Sequence, residues 1–222
     1  MMGRYLVISW LILVGATAAA CWTEQNFLGM INDAQHLLPD NLQNLISRYS
    51  AEFYRECAPS SASIGARDQL VESILKDSHD AITSFTTGRS FASGTRLLGR
   101  IGASIAHMHA LLTDTSKLNN KNWQTDYAIF LQKNRPHLRI RWQGADKRPK
   151  SRDELKALLT KSVANHQKAS KILEDNLNRE NKSISEYDTM SAPFGIGSMS
   201  YSSAVASIAM TWLYIWDQAG GM

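Results

Sequence analysis

The chain has 222 residues, 44% of them hydrophobic, with a formal charge of +4, enough for one domain with a sizeable core. So mild a basic excess implies no partner by itself. Beyond residue 20 no segment approaches the roughly 20 apolar residues that cross a bilayer, so the exported chain is expected to be soluble or only surface-attached.

Residues 1–20 have the three parts of a secretory signal peptide. Arg4 supplies the positive start, Tyr5 to Val14 is apolar apart from Ser9, and Ala16 to Ala20 offers small residues for the peptidase. Residues 21–222 then form one domain carrying +3, working outside the cytosol as a secreted or periplasmic protein. Its two cysteines, Cys21 and Cys57, allow two readings. An oxidising compartment favours a Cys21–Cys57 disulfide. Alternatively Ala18-Ala19-Ala20-Cys21 is a weak lipobox, and Cys21 becomes the acylated first residue of an outer-surface lipoprotein.

Helical spacing dominates the mature chain. Asp40 and Asn41 can cap a helix carrying Leu42, Leu45, Ile46, Tyr49 and Phe53. Leu70, Val71, Ile74, Leu75, Ile82 and Phe85 form a second stripe. Leu97 to Leu112, apolar or small on most faces, belongs in the middle of the fold. Leu155 to Leu177 reads as a long amphipathic helix. Tyr201, Val205, Ile208, Trp212 and Trp216 mark the last, with both tryptophans in the core. Alternation of the strand kind occurs only briefly, at Leu138 to Trp142. The class is all-α, a multi-helix bundle of six or seven helices.

Two stretches interrupt the pattern. Residues 183–200, rich in Ser, Gly and Met, read as a flexible surface loop. Asn181-Lys182-Ser183 beside it is an N-glycosylation sequon, meaningful in a eukaryotic source. Residues 135–152 read as a basic loop with seven cations against Asp146 alone, a net +6. Such a concentration matters more than net charge for holding anions. Arg139, Arg141, Lys147, Arg148 and Lys150 are therefore the candidate anion-binding residues, for lipid headgroups, nucleic acid or an acidic protein. Trp142 could stack on a base or sit in a bilayer interface. The plain alternative is a solvated loop balancing acids elsewhere, such as Glu174-Asp175.

Several segments together resemble the secreted zinc-dependent phospholipase C and P1/S1 nuclease family. Trp22 follows the export signal, where those enzymes begin with Trp. Ile31 to Pro39 is similar to their first-helix pattern, and Gly102 with Met108-His109-Ala110 to their central H-x3-D-x5-H motif. Tyr127-Ala128-Ile129-Phe130 resembles a later element, and Ser203 to Gly220 the last helix. The resemblance implies a phosphodiester hydrolase with three zinc ions, held by His and carboxylate side chains and by the N-terminal Trp. Aligned residue by residue, most ligands are missing. The first-helix His falls at Phe27 or Leu28, and the Asp after the second helix at Ser60, following Pro59. The central motif reads Gly99, Ala103, His109. Gln124 and Ala128 replace a His and an acid. His79 is the one candidate for a further His. His109 and Trp22 are left as metal candidates, and Trp22 only if processing leaves it first.

Gly, Ala and Phe cannot donate to zinc. The expected reading is therefore a non-catalytic domain with no cofactor, binding an anionic partner or surface. Zinc, and phosphodiesterase or phospholipase activity at a rearranged site, is the alternative. His107, His109 and Asp114 make a contrived one-zinc set, since two residues apart on a helix face different ways. His166 is read as partly buried and ordinary, His36 and His137 have no partners nearby in sequence, and the His79-Asp80 pair is read as solvated. No G-x-S-x-G element occurs, and Gly195-Ile196-Gly197-Ser198 has loop composition without a phosphate-binding Lys.

Overall fold

The computed structural model describes residues 22–57, 67–88 and 90–221. The expected signal peptide, Cys21 and the Pro59-Ser60 position lie outside the described residues. Among those described there are eight α-helices and no strand. They are α1 (Glu24–Gln35), α2 (Asp40–Arg48), α3 (Ser50–Arg55), α4 (Arg67–Thr86), α5 (Phe91–Met108), α6 (Trp123–Lys133), α7 (Arg152–Glu180) and α8 (Ala192–Gln218). None of these helices is long and apolar enough to cross a membrane.

The expected middle helix is α5, which packs against α1, α3, α4 and α8. Three glycines let its neighbours in. A Cβ on Gly94 would lie 2.3 Å from the Phe85 ring of α4, one on Gly102 2.8 Å from Trp212 of α8, and one on Gly99 2.1 Å from the Phe53 carbonyl oxygen of α3. Leu98, Ile101, Ile105 and Met108 fill the space between, each at most 1% exposed, and each such burial contributes about 1.5–3 kcal/mol. Trp212 also donates its indole N–H to the Leu98 carbonyl at 2.9 Å. Asp77 of α4 receives a two-pronged bond from Arg100 of α5, at 2.8 and 2.7 Å, the geometry that makes Arg–carboxylate pairs specific.

Along α7 one stripe is buried: Leu155, Leu159, Val163, His166, Ser170, Leu173 and Leu177. Its start is capped by Ser151, whose hydroxyl accepts from Glu154 N–H at 3.2 Å, and its end by Asn181 in the left-handed conformation, φ 49°.

Three expectations about the elements change. The helix expected from Leu42 through Phe53 breaks at Tyr49 (φ −113°, ψ 33°) into α2 and α3. The new direction sets Phe53 on Gly99 and, at 5.5 Å, on Trp212, and the break takes the helix number past seven. Pro39 occupies the N-cap of α2, with Asp40 the first helical residue, and Asn41 spends its side chain on Leu42 N–H and the Gly221 carbonyl. Residues 183–200 are not a loop throughout. Residues 184–186 form a 3₁₀ turn with a Ser183–Glu186 capping box, and α8 begins at Ala192, capped by Ser191 with Pro193 in its first turn. Gly195 and Gly197 are thus helical, and Gly197 is there for contact: a Cβ would lie 2.5 Å from Leu131. Composition suggests a loop because the Ser and Gly that bring helices close are also loop formers.

Gly99→Ala forces a methyl onto a backbone carbonyl, which cannot swing away. The expected cost is about 2–3 kcal/mol, a fall in Tm of roughly 5–10 °C. Gly195→Ala, on an exposed helical face with nothing within 4 Å, is expected to leave Tm unchanged or slightly raised. Equal thermal melts for the two variants would contradict the close α3–α5 approach.

Candidate functional site

The turn leaving α5 is where the metal candidates meet. His109, Ala110, Leu111 and Leu112 are all buried, and Leu112 has φ 52°. A buried turn needs partners for its carbonyls and amides. The Trp22 indole N–H and the Ser200 hydroxyl both donate to the His109 carbonyl, at 3.2 and 3.0 Å. His166 Nε2 lies 2.9 Å from the Ala110 carbonyl, and because a carbonyl only accepts, that nitrogen carries the proton. Leu112 N–H donates to Ser170 Oγ at 3.2 Å, and Ser170 donates to Glu174. The His109 and His166 rings meet edge to face at 5.8 Å. His166, expected to be partly exposed, is 3% exposed, because α7 uses it to hold this turn.

Trp22 and His109 are therefore neighbours, joined through an indole N–H and a backbone carbonyl. The other aligned positions do not suit zinc. Phe27 is buried against the His107 ring at 5.0 Å. Ala128 is buried, and its carbonyl accepts from Asn26 Nδ2 at 3.1 Å. Gly99 has no room for a side chain of any kind. Among the described residues no three His, Cys, Asp or Glu side chains converge as a metal-binding group, so the residues present do not fit a zinc cluster. Asp114 is exposed and held by Ser116 and Lys117, and His36, His79 and His137 are exposed.

His107 packs on Phe27, and neither ring nitrogen has a hydrogen-bond partner among the described residues. Burial holds its pKa below the usual histidine range. Cys57 is wholly buried and bonds through its sulfur to the Phe53 carbonyl at 3.2 Å. Burial, with Glu56 adding to it, pushes its thiol pKa up to about 12. The reading of Cys21 and Cys57 as a disulfide or lipidation pair turns on Cys21, outside the described residues.

The basic stretch forms a strap lying lengthwise along α8. It leaves α6 through a 3₁₀ turn at Arg135–His137 and runs extended from Leu138. It turns again at Ala145–Lys147 and reaches α7 at Arg152. Gly144, at φ 94°, makes the second bend, a conformation open to glycine. The extended part has no strand beside it, so helix hydroxyls take its amides: Arg139 N–H donates to Ser198 Oγ at 3.5 Å and Arg141 N–H to Ser202 Oγ at 2.8 Å. Leu138 and Trp142 pack against the core, which leaves Arg139 and Arg141 outward and exposed. The brief alternation at Leu138 to Trp142 holds at its two ends but not at Ile140, which is 36% exposed.

Two of the seven cations are spent within the fold. Arg135 lies 3.5 Å from Asp33, which also accepts from Tyr201 OH at 2.6 Å. Burial first, then Asp33, raises the pKa of Tyr201. Arg148, one of the five candidate anion binders, is 3.1 Å from Asp217 and also donates to the Ala145 carbonyl. With its side chain only 19% exposed, it fastens the strap to the end of α8 rather than facing outward. Arg139, Arg141, Lys147 and Lys150 remain at the surface, with Lys147 only 3.9 Å from its own neighbour Asp146.

A concavity of about 670 Å³ lies between residues 113–117 and α7, where Asp114, Glu174 and Asp175 line it together with Lys117 and Lys171. No sequence pattern signals it, because its two sides are more than fifty residues apart.

Because folding lowers the His107 pKa, the unfolded chain binds the extra proton first as pH falls. Stability should therefore decline from about pH 6.5 downward, until the folded form also protonates. His107→Phe keeps a ring against Phe27 and removes the titration, so urea-unfolding free energies at pH 7 and pH 5 should differ less in the variant. An equal difference in both would show that His107 is not held neutral. For Cys57, alkylation by iodoacetamide at pH 8 should be at least about 100-fold slower in the native protein than after denaturation, the thiolate being the reactive form. A denatured, unreduced protein with no titratable thiol would instead report pairing with Cys21.

No family model, curated protein or solved structure matches this chain.

Proposed function

We propose that this is an exported, non-catalytic binding domain, a phospholipase C/P1 nuclease-like helical bundle without its metal centre, that holds an anionic partner or surface through the strap. The observation that carries the binding part is the pair Arg139 and Arg141, side by side, exposed, and fixed by their own backbone N–H groups to Ser198 and Ser202. Cations on a pinned backbone lose less conformational freedom on binding than cations on a mobile loop. Lys147 and Lys150, beyond the Gly144 bend, are exposed as well. The loss of catalysis is supported by the donor set: Phe27, Gly99, Ala103 and Ala128 carry no metal-binding atom on their side chains, and Phe53 fills the space beside Gly99.

The quadruple variant Arg139→Glu, Arg141→Glu, Lys147→Glu, Lys150→Glu should lose salt-sensitive binding to anionic probes: an oligonucleotide, polyglutamate and phosphatidylserine vesicles. With four contacts reversed, an affinity drop of a hundredfold or more is expected at low salt, with Tm little changed because these side chains face solvent. Arg148→Glu should behave differently. It sets two carboxylates together at the end of α8 and is expected to cost about 1–3 kcal/mol of stability. Unchanged binding by the quadruple variant would refute the proposal. Elemental analysis tests the other half: two or three zinc ions per purified chain, with chelator-sensitive phosphodiester cleavage lost in His109→Ala, would restore the hydrolase reading.

A further inference from the structure

We infer that the partner of the strap is an anionic lipid surface, met by Arg139 and Arg141 together with the exposed side chains of Ile140 and Met199. This rests on the strap being an anion-binding face and adds the class of partner. Its first support is what stands beside the cations. Ile140 lies between the two arginines and is 36% exposed, and Met199, next in sequence to the Ser198 that holds Arg139, is 66% exposed. Both are costly to leave in water and cheap to place among acyl chains just below a headgroup layer. Phosphates for the arginines and hydrocarbon for Ile140 and Met199 occur together at a bilayer interface.

Single-stranded nucleic acid makes a different demand, since its binding faces combine cations with exposed aromatic rings on which bases stack. The one aromatic of the strap, Trp142, is turned inward and packed against the core. The exposed aromatics among the described residues are Tyr54 and Phe91, on α3 and at the start of α5 rather than on the strap.

The second support is where the described chain begins. The Trp22 ring stands edge to face with Tyr201 at 6.2 Å, Tyr201 shares Asp33 with Arg135, and Arg135 opens the strap. The first described residue is thus linked through Tyr201 and Asp33 to the start of the strap. The residue before Trp22 is Cys21, which the lipobox reading makes an acylated first residue. A chain acylated at Cys21 would be held at a membrane within a few side-chain contacts of the strap's first residue. A hydrophobic anchor and a basic patch are the two weak signals that together give stable attachment.

The test is co-sedimentation of a Cys21→Ser chain, which cannot be acylated there, with phosphatidylcholine vesicles with and without phosphatidylserine. Binding is expected only with phosphatidylserine and should weaken with salt. Arg139→Gln/Arg141→Gln should lower it at least about tenfold, each cation near an anionic surface contributing severalfold. Ile140→Ser/Met199→Ser should lower it as well, while sparing any binding to a soluble oligonucleotide. Circular dichroism and Tm establish that both variants fold. Equal binding to neutral vesicles, or phosphatidylserine binding that survives both double variants, overturns the inference. Binding to an oligonucleotide or polyglutamate without binding to phosphatidylserine vesicles overturns the lipid assignment and leaves the anion-binding reading standing. Binding to none of these probes removes both.

Discussion

The buried chain reversal from His109 to Leu112 constrains the arrangement of nearly every helix around it. A helix that ends inside a core leaves carbonyls that water would otherwise satisfy, at a cost of order 1–3 kcal/mol for each one orphaned. Here the answer comes from distant parts of the chain: the Trp22 indole before α1, His166 and Ser170 on α7, and Ser200 on α8. Those groups reach the turn only if α7 and α8, which pack on each other, hold one register relative to the end of α5. His166 and Ser170 are the polar members of an otherwise apolar buried stripe on α7. They fix the axial position of the helix where leucines alone would tolerate sliding. Polar groups in a core supply that kind of specificity when every partner is present.

Much of the helical architecture was legible in the sequence because it depends on local spacing. The stripes at Leu70–Phe85, Leu97–Leu112 and Leu155–Leu177 fall on α4, α5 and α7, the second running past the helix end at Met108 into the buried turn, and α5 is central because Gly and Ala mark the faces that neighbours approach. What was not legible depends on contacts distant in sequence. The start of α8 is a case: Leu131 and Tyr127 press on Gly197 and His166 meets Ser200, and composition cannot distinguish that from a loop. The break at Tyr49 is another, driven by the meeting of Phe53 with Gly99 and Trp212. Boundaries set by tertiary contact override propensity in this way.

The strap shows the same division. Its charge was plain from the sequence, but which cations face outward was not, because that depends on carboxylates far along the chain. Asp33 takes Arg135 and Asp217 takes Arg148, and these pairs anchor the strap at either end of its run along α8. The remaining arginines are presented by backbone bonds to Ser198 and Ser202, spaced one helical turn apart, about 6 Å. Two residues of extended chain cover roughly 6.6 Å, so alternate strap amides fall near successive turns of the helix. That near match of repeats lets an unpaired extended segment lie on a helix with its amides satisfied, and it orients Arg139 and Arg141 alike.

Gly99 links the stability of the bundle to its chemistry. On the resemblance proposed for this chain, residue 99 would carry a metal-binding histidine, which requires α3 to stand away from α5. Instead the Phe53 carbonyl stands 2.1 Å from where a Cβ would be, and Phe53 itself is wholly buried. An imidazole cannot be restored there by substitution alone, because α3 would have to withdraw and expose Phe53 and the Trp212 contact behind it. Neighbouring positions reinforce this: Ala103 is buried on the same helix, and Phe27 packs on His107. The space that would surround a metal is occupied by contacts that hold the helices together, so regaining a polar centre would mean dismantling part of the core. On the reading proposed for this chain the surface carries the function, and the strap supplies four of its exposed cations.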